Sequence, residues 1–228
     1  STLEEIDLTS YLEMKKIKVV DTNIGDFICS VFNERPYSFK SSAIHKNTLH
    51  IADIYTDKFG VKENLNAKQL TTYTKNILRN EVYNPEALIT GANFLISNTG
   101  SIVFTENEGN ILKSSTFTPI HIVVAGIDKT ITSIDELSVL LPLSSLYDTN
   151  KNISSLYSVI NSPSKIDDKF QDLYLILLNN NRINILSKEK QRNILSCIQC
   201  GACLEVSLIG RLLIVSSRAL KRLVRYFL

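Results

Sequence analysis

The chain has no apolar run long enough to span a bilayer, no glycine-rich phosphate loop, no dinucleotide fingerprint and no internal repeat. Nucleotide-driven chemistry and membrane spanning lose their sequence signatures with them. Histidine is scarce as well: His45, His50 and His121 show no zinc-protease spacing, which leaves a metal-hydrolase centre without ligands. The amino end is acidic and carries no secretory pattern, so the expected compartment is the cytoplasm, with no transmembrane segment. Only four cysteines occur, too few for a disulfide framework in 228 residues.

Basic residues without any acidic counterpart gather at the carboxyl end. Residues 207–228 hold Arg211, Arg218, Lys221, Arg222 and Arg225 and no carboxylate, whereas the whole chain has 25 basic against 23 acidic residues. Without that tail the chain is net acidic. A nucleic-acid partner is therefore not expected, since no basic patch interleaved with aromatics remains. From Arg218 onward, apolar and basic residues alternate at helical spacing. This fits either a membrane-surface helix or an out-of-frame tail.

What is present begins with Cys197-Ile-Gln-Cys200-Gly-Ala-Cys203. Ferredoxin-type runs read C-x2-C-x2-C-x3-C-P, with the first three thiolates on one cluster. Here Ser207 and Leu208 occupy the last cysteine and proline slots. The spacing predicts Cys197, Cys200 and Cys203 as ligands of a 4Fe-4S cluster with an incomplete ligand set. The fourth thiol, Cys29, lies among apolar neighbours and reads as a packed helix residue.

With 44% hydrophobic and 21% charged residues the chain can bury a sizeable core. Strand-like and helix-like segments alternate, the pattern of an α/β fold. The expected order is a strand at Ile17–Val20, helices at 24–32, 49–59 (stopped by Gly60) and from the capping box Asn66–Gln69, then a central hairpin of 94–97 and 101–104. Ile120–Ala125 reads as a strand buried on both faces. Ser133–Glu136 caps a helix that turns Ile134, Leu137, Leu140 and Leu141 to the core, and 144–168 reads as a loop or lid. Leu173–Leu178 is expected as a second buried strand, followed by a helix from Ser187 that delivers the cysteines.

Three turns concentrate Asn, Gly and Thr. Thr90, Gly91, Asn93, Thr99, Gly100, Asn107 and Gly109 can offer backbone N–H groups as a nest for a small carboxylate, or can simply join strands. Glu106 and Glu108 are near enough in sequence to serve as acid or base.

Residues 90–110, Ala43–Lys46, His121–Lys129 and Leu177–Arg182 together resemble the ordered blocks of the lactate utilization (LUD) domain family, and the cysteine run resembles that of its iron–sulfur members. The resemblance implies a sugar-isomerase/CoA-transferase-like α/β/α sandwich and a role, beside other lactate utilization subunits, in oxidising L-lactate to pyruvate with electrons relayed through the cluster. The alternative it leaves open is a CoA- or small-carboxylate-binding module with vestigial cysteines. The chain departs from the family pattern at Asn98-Thr99-Gly100 (usually Glu-Thr-Gly), at Ser144–Thr149 and at Asn179–Asn181, and lacks a second cysteine motif. It also begins at a point resembling the interior of the family domain. A truncated or degenerate copy is the expectation, inactive on its own: a LUD domain at 1–196, a partial cysteine motif at 197–207 and the tail at 208–228.

Overall fold

The computed structural model describes residues 2–34, 36, 42–61, 65–82, 85–149, 156–166, 168–198, 200 and 203. The expectations for Ser207, Leu208 and the 208–228 tail lie outside the described residues.

The first part is helical: α1 (Thr2–Glu5), α2 (Leu8–Met14), α3 (Ile24–Val31), α4 (Thr48–Phe59) and α5 (Ala67–Val82). Short polar side chains set the boundaries by satisfying first-turn N–H groups. Asn23 accepts from Gly25 N and Asp26 N, and Asn47 accepts from His50 N. Asn66 and Gln69 cap each other reciprocally. Gly60 ends α4 at φ +64, a left-handed conformation that costs glycine little. Val31, Ala52, Tyr55 and Leu70 join α3, α4 and α5 in one apolar cluster, and the buried Tyr55 hydroxyl is satisfied by Thr74 Oγ1 at 2.7 Å.

Next come β1 (Ala87–Gly91), β2 (Phe94–Ile96), β3 (Ser101–Glu106), α6 (Asn110–Phe117), β4 (Ile120–Gly126), β5 (Thr130–Ile131), α7 (Leu137–Thr149), β6 (Leu156–Ile160), β7 (Lys165–Ile166), β8 (Lys169–Phe170), β9 (Asp172–Leu178) and α8 (Arg182–Leu186). One sheet is parallel, in the order β1-β4-β9, and a second runs β5-β2-β3-β6 around the predicted hairpin. Because side chains alternate along a strand, the hairpin sheet carries two cores. Leu95, Ile102 and Phe104 meet Val123 and Ala125 of the parallel sheet. Phe94, Ile96 and Val103 meet Leu137, Leu140 and Leu141 of α7 on the other side. The α/β alternation predicted from sequence is thus realised as layers.

Four local expectations are corrected. Ile17–Val20 forms no strand. The described part of 144–168 is no lid: α7 continues to Thr149 and Leu156–Ile160 form β6, paired antiparallel with β3, while 150–155 and 167 lie outside the described residues. Ile134 sits in a 3-10 turn ahead of α7 and points outward. The strand expected to be buried, β9, is an edge with Tyr174, Leu175, Ile176 and Leu177 all exposed.

Candidate functional site

Parallel strands present their carboxyl ends on one side, and loops leaving that side build ligand sites in open α/β sheets. Here β1, β4 and β9 finish at Gly91, Gly126 and Leu178. The loop after β9, Asn179-Asn180-Asn181, takes positive φ at its last two residues and turns the chain into α8. That turn brings Arg182 back beneath the strand ends.

Arg182 is 1% exposed and wholly engaged by carboxylates and carbonyl oxygen. Its Nε donates to Asp128, its Nη2 donates to Glu5 at 2.8 Å, and its Nη1 reaches Glu5 at 3.0 Å and Asn179 O at 3.4 Å. Burial pushes the Glu5 carboxyl up, but Arg182 and Asn180 more than offset this and hold it below the ordinary carboxylate range. Lys129, also buried, lies 3.5 Å from Asp128 and donates to the Cys197 carbonyl at 2.9 Å. Gly126 is required here because a Cβ would run into the Asp128 carboxylate and lie 2.9 Å from Arg182 Nε. Two of the family-like blocks therefore meet through side chains that were not singled out from sequence. The signal was the isolated arginine after an asparagine triplet, but its partner Glu5 lies near the other end of the chain.

The turn residues divide into separate groups. Asn93 Oδ1 accepts from Thr105 N at 2.9 Å, which places the β1–β2 corner beside the end of β3. Glu106 is there, buried, and its carboxylate accepts from Ile111 N, Leu112 N and Ser158 Oγ, so it serves as the cap of α6. Asn107 and Gly109 complete the same corner, with Gly109 at φ +67 just before α6. Glu108 accepts from Ile24 N at 3.1 Å, and Asn110 donates to Thr22, which docks the start of α3 against it. Thr99 and Gly100 lie elsewhere, in the hairpin turn at the opposite end of β3. The Thr99 hydroxyl there bonds Ser101 at 2.6 Å. One cleft shared by all three turns is not what the geometry provides.

The corner is rich in carboxylates that resist ionisation. Burial raises Glu108, against the opposing pull of the Ile24 N–H and Lys75. Burial raises Asp26 too, despite a hydrogen bond from Ser42. Asp21 is pushed up to about 6 by burial, then by Asp26, Glu13 and Glu4. Because its folded pKa lies above its ordinary value of 3.8, ionised Asp21 disfavours the fold, and stability falls as pH rises from about 4 through 6. Asp21→Asn is expected to be more stable than wild type at pH 7.5 and equal to it near pH 3.5. Urea unfolding at the two pH values checks this, and equal stability at pH 7.5 would refute it.

Thr90 belongs to the interior. Its hydroxyl lies 2.8 Å from His121 Nε2, both residues are buried, and Phe104 stacks on the imidazole. Burial depresses His121 to about 4, so the ring is neutral at physiological pH. Its Nδ1 has no partner among the described residues.

The cysteines overturn the iron–sulfur expectation. No helix from Ser187 delivers them: α8 ends at Leu186, a 3-10 turn covers Arg192–Ser196, and Cys197 follows in extended backbone. Cys197 and Cys203 are exposed and Cys200 is half-buried. Among the described residues, no three of His, Cys, Asp or Glu are grouped so as to hold a metal ion. A cube needs its thiolates converging on one point, and Cys197, Cys200 and Cys203 do not converge. The residues present do not fit a 4Fe-4S cluster, and the metal-ligand and electron-relay assignments fall with it. Cys29 is buried, with its thiol on Ser42 O, as its sequence context predicted.

An α/β protein whose parallel strands end above a buried charge network is a class rather than an identity. Residues 3–186 match the model of the LUD domain, and the chain belongs to that family. It is 31% identical over 211 residues to lactate utilization protein B of Geobacillus sp. (strain WCH70), covering 91% of this chain and 44% of that protein. The protein of the same name from Bacillus subtilis (strain 168) is 31% identical over 212 residues with the same coverage. The chain thus spans less than half the length of these relatives. A solved structure, a DUF162 family protein from Deinococcus radiodurans, aligns with 50% of this chain and 70% of its own at 16% identity and a TM-score of 0.32. Among the described residues no helix is long and apolar enough to cross a membrane.

Proposed function

We propose that this chain is a small-carboxylate-binding LUD module that acts in the cytoplasm with other lactate utilization subunits, and that it has no oxidoreductase activity alone. The observation that carries this is the meeting of three parallel strand ends above the Arg182–Asp128–Glu5 lock. Such edges are where open α/β sheets bind small ligands. The lock holds the edge rigid, so backbone donors there are pre-set for an anion. The names of the relatives, lactate utilization protein B, point to a short hydroxy acid as ligand. The three-stranded parallel sheet, alternating with helices along the chain, supports the finer assignment to the sugar-isomerase/CoA-transferase-like sandwich.

Within this reading, the Gly91–Asn93 corner, together with Asn107 and Gly109, contacts the ligand. Thr90 positions that corner from below, and Thr99 and Gly100 form a separate rim. Of the two glutamates, Glu108 suits proton transfer better, since Glu106 is consumed as a helix cap and burial brings the Glu108 pKa closer to neutrality.

Titrating the full chain with L-lactate, pyruvate and coenzyme A, followed by ligand-observed NMR, tests the proposal. The small acids are expected to bind, and Gly91→Ala is expected to weaken them at least tenfold. A Cβ at Gly91 meets nothing nearer than Val124 O at 3.9 Å, so the fold accommodates it. Binding of coenzyme A alone would transfer the assignment to the CoA reading, and binding of none would end it.

A further inference from the structure

A buried ammonium has three donors to place and a charge that an apolar interior does not solvate. Lys129 is 6% exposed, yet among the described residues the one acceptor its Nζ hydrogen-bonds is the neutral Cys197 carbonyl at 2.9 Å. Asp128 adds an opposing charge at 3.5 Å, too long for a good hydrogen bond, and Arg182 Nε already holds the other oxygen of that carboxylate. The position of this ammonium matters as much as its burial. Lys129 closes the 3-10 turn that leaves β4, the central strand of the parallel sheet, and Thr130 then pairs in parallel with Leu95. Continuing that register back by one residue sets the Lys129 backbone alongside Phe94, ~4.8 Å away, with Asn93 next in the chain. The buried cation therefore stems from the Gly91–Asn93 corner, at the carboxyl end of the sheet.

We infer that Lys129 is the cation that receives the ligand's carboxylate, and that the Cys197 carbonyl is its built-in competitor, displaced when the acid binds. This rests on the reading of the strand ends as a small-acid site. A carboxylate brings the ammonium a full opposing charge together with the hydrogen bond, whereas a carbonyl brings only a dipole. The competitor is also lightly held. Ser187 through Ile194 are all exposed, and the backbone bonds of this segment close local turns: Arg192 N to Lys188 O, Ile194 N to Gln191 O and Cys197 N to Ile194 O. Displacement thus lifts a surface strap and leaves the core packed. Asp128 keeps the ammonium in place during the exchange, and Arg182 in turn holds Asp128.

Titrating the full chain with L-lactate and with its neutral amide, L-lactamide, tests this, with Lys129→Met as the variant. The wild type is expected to prefer lactate about tenfold or more, the scale of one hydrogen bond to a charged group. In Lys129→Met that preference is expected to vanish. A variant that still prefers the anion overturns the assignment of Lys129 and leaves the small-acid site standing on its backbone donors. Binding of neither compound to the wild type ends the small-acid site, and this inference with it. Amide exchange in the wild type needs no variant and stays decisive should Lys129→Met fail to fold. Saturating lactate is expected to speed exchange at Ile194 and Cys197, whereas unchanged exchange there, with lactate bound, would show that the Cys197 carbonyl is not displaced.

Discussion

Replacing Arg182 with alanine is expected to lower the unfolding free energy by about 3–5 kcal/mol, the range for removing one partner from a buried ion pair. The guanidinium is enclosed and shared by two carboxylates that are themselves almost inaccessible, the Glu5 and Asp128 side chains being 10% and 7% exposed. Without it both anions remain where water cannot solvate them, and α1 loses its tie to the loop after β9. The pair's net worth relative to an apolar replacement is a different quantity and is small. Arg182→Lys keeps one charge but loses the fork that holds both carboxylates, so an intermediate loss is expected. The exposed pair Lys165–Asp168, at 2.8 Å, serves as control, and its removal should change stability little. Urea unfolding at pH 7 measures all three. A loss under about 1 kcal/mol for Arg182→Ala would show that the network does not hold the strand ends.

Acidification is expected to destabilise the fold through His121, by on the order of 2 kcal/mol between pH 7 and pH 5. The unfolded chain takes up this proton near 6.5 and the folded chain only near 4. Between those values the unfolded state binds more protons, so stability falls as pH falls. Asp21 works in the opposite sense over part of the same window, which makes the raw profile of the wild type flatter than His121 alone would give. His121→Gln isolates the effect, since glutamine reaches Thr90 but does not titrate. The difference between wild type and variant should shrink or reverse from pH 7 to pH 5. A difference constant across that range would mean that His121 does not carry the acid sensitivity.

Local chemistry was legible in the sequence where the partners are close along the chain. Both capping boxes formed, at Asn66–Gln69 and Ser133–Glu136, because a side chain and an amide three residues apart decide them. The hairpin and β4 were legible too, through turn residues and an apolar run. What was hidden depends on distant partners. Ile17–Val20 has strand composition but no strand to pair with. The run in β9 reads the same whether its neighbours are present or absent, so its exposure was not written in it. Glu106 looked like a base and proved to be a cap, because the amides it satisfies belong to a helix that starts four residues later. The cysteine spacing matched a ligand pattern, but spacing fixes only sequence distance, and an extended residue after a 3-10 turn spreads what a helix end would gather. The Arg182 lock joins residues 177 positions apart and left only the arginine itself as a trace.

The parallel order β1-β4-β9 also sets a schedule for synthesis. Chains emerge from the amino end, and a strand cannot pair before its neighbour exists. The β2–β3 hairpin can close at once, and β4 can join β1 as soon as α6 is made. The far edge of β4 must then wait while α7, β6 and the β7–β8 ribbon are translated. During that interval the most apolar strand of the sheet is a template open to other nascent chains. A ribosome stalled before Asp172 would release a product with that edge still bare, so the parallel sheet stays incomplete until β9 has been made.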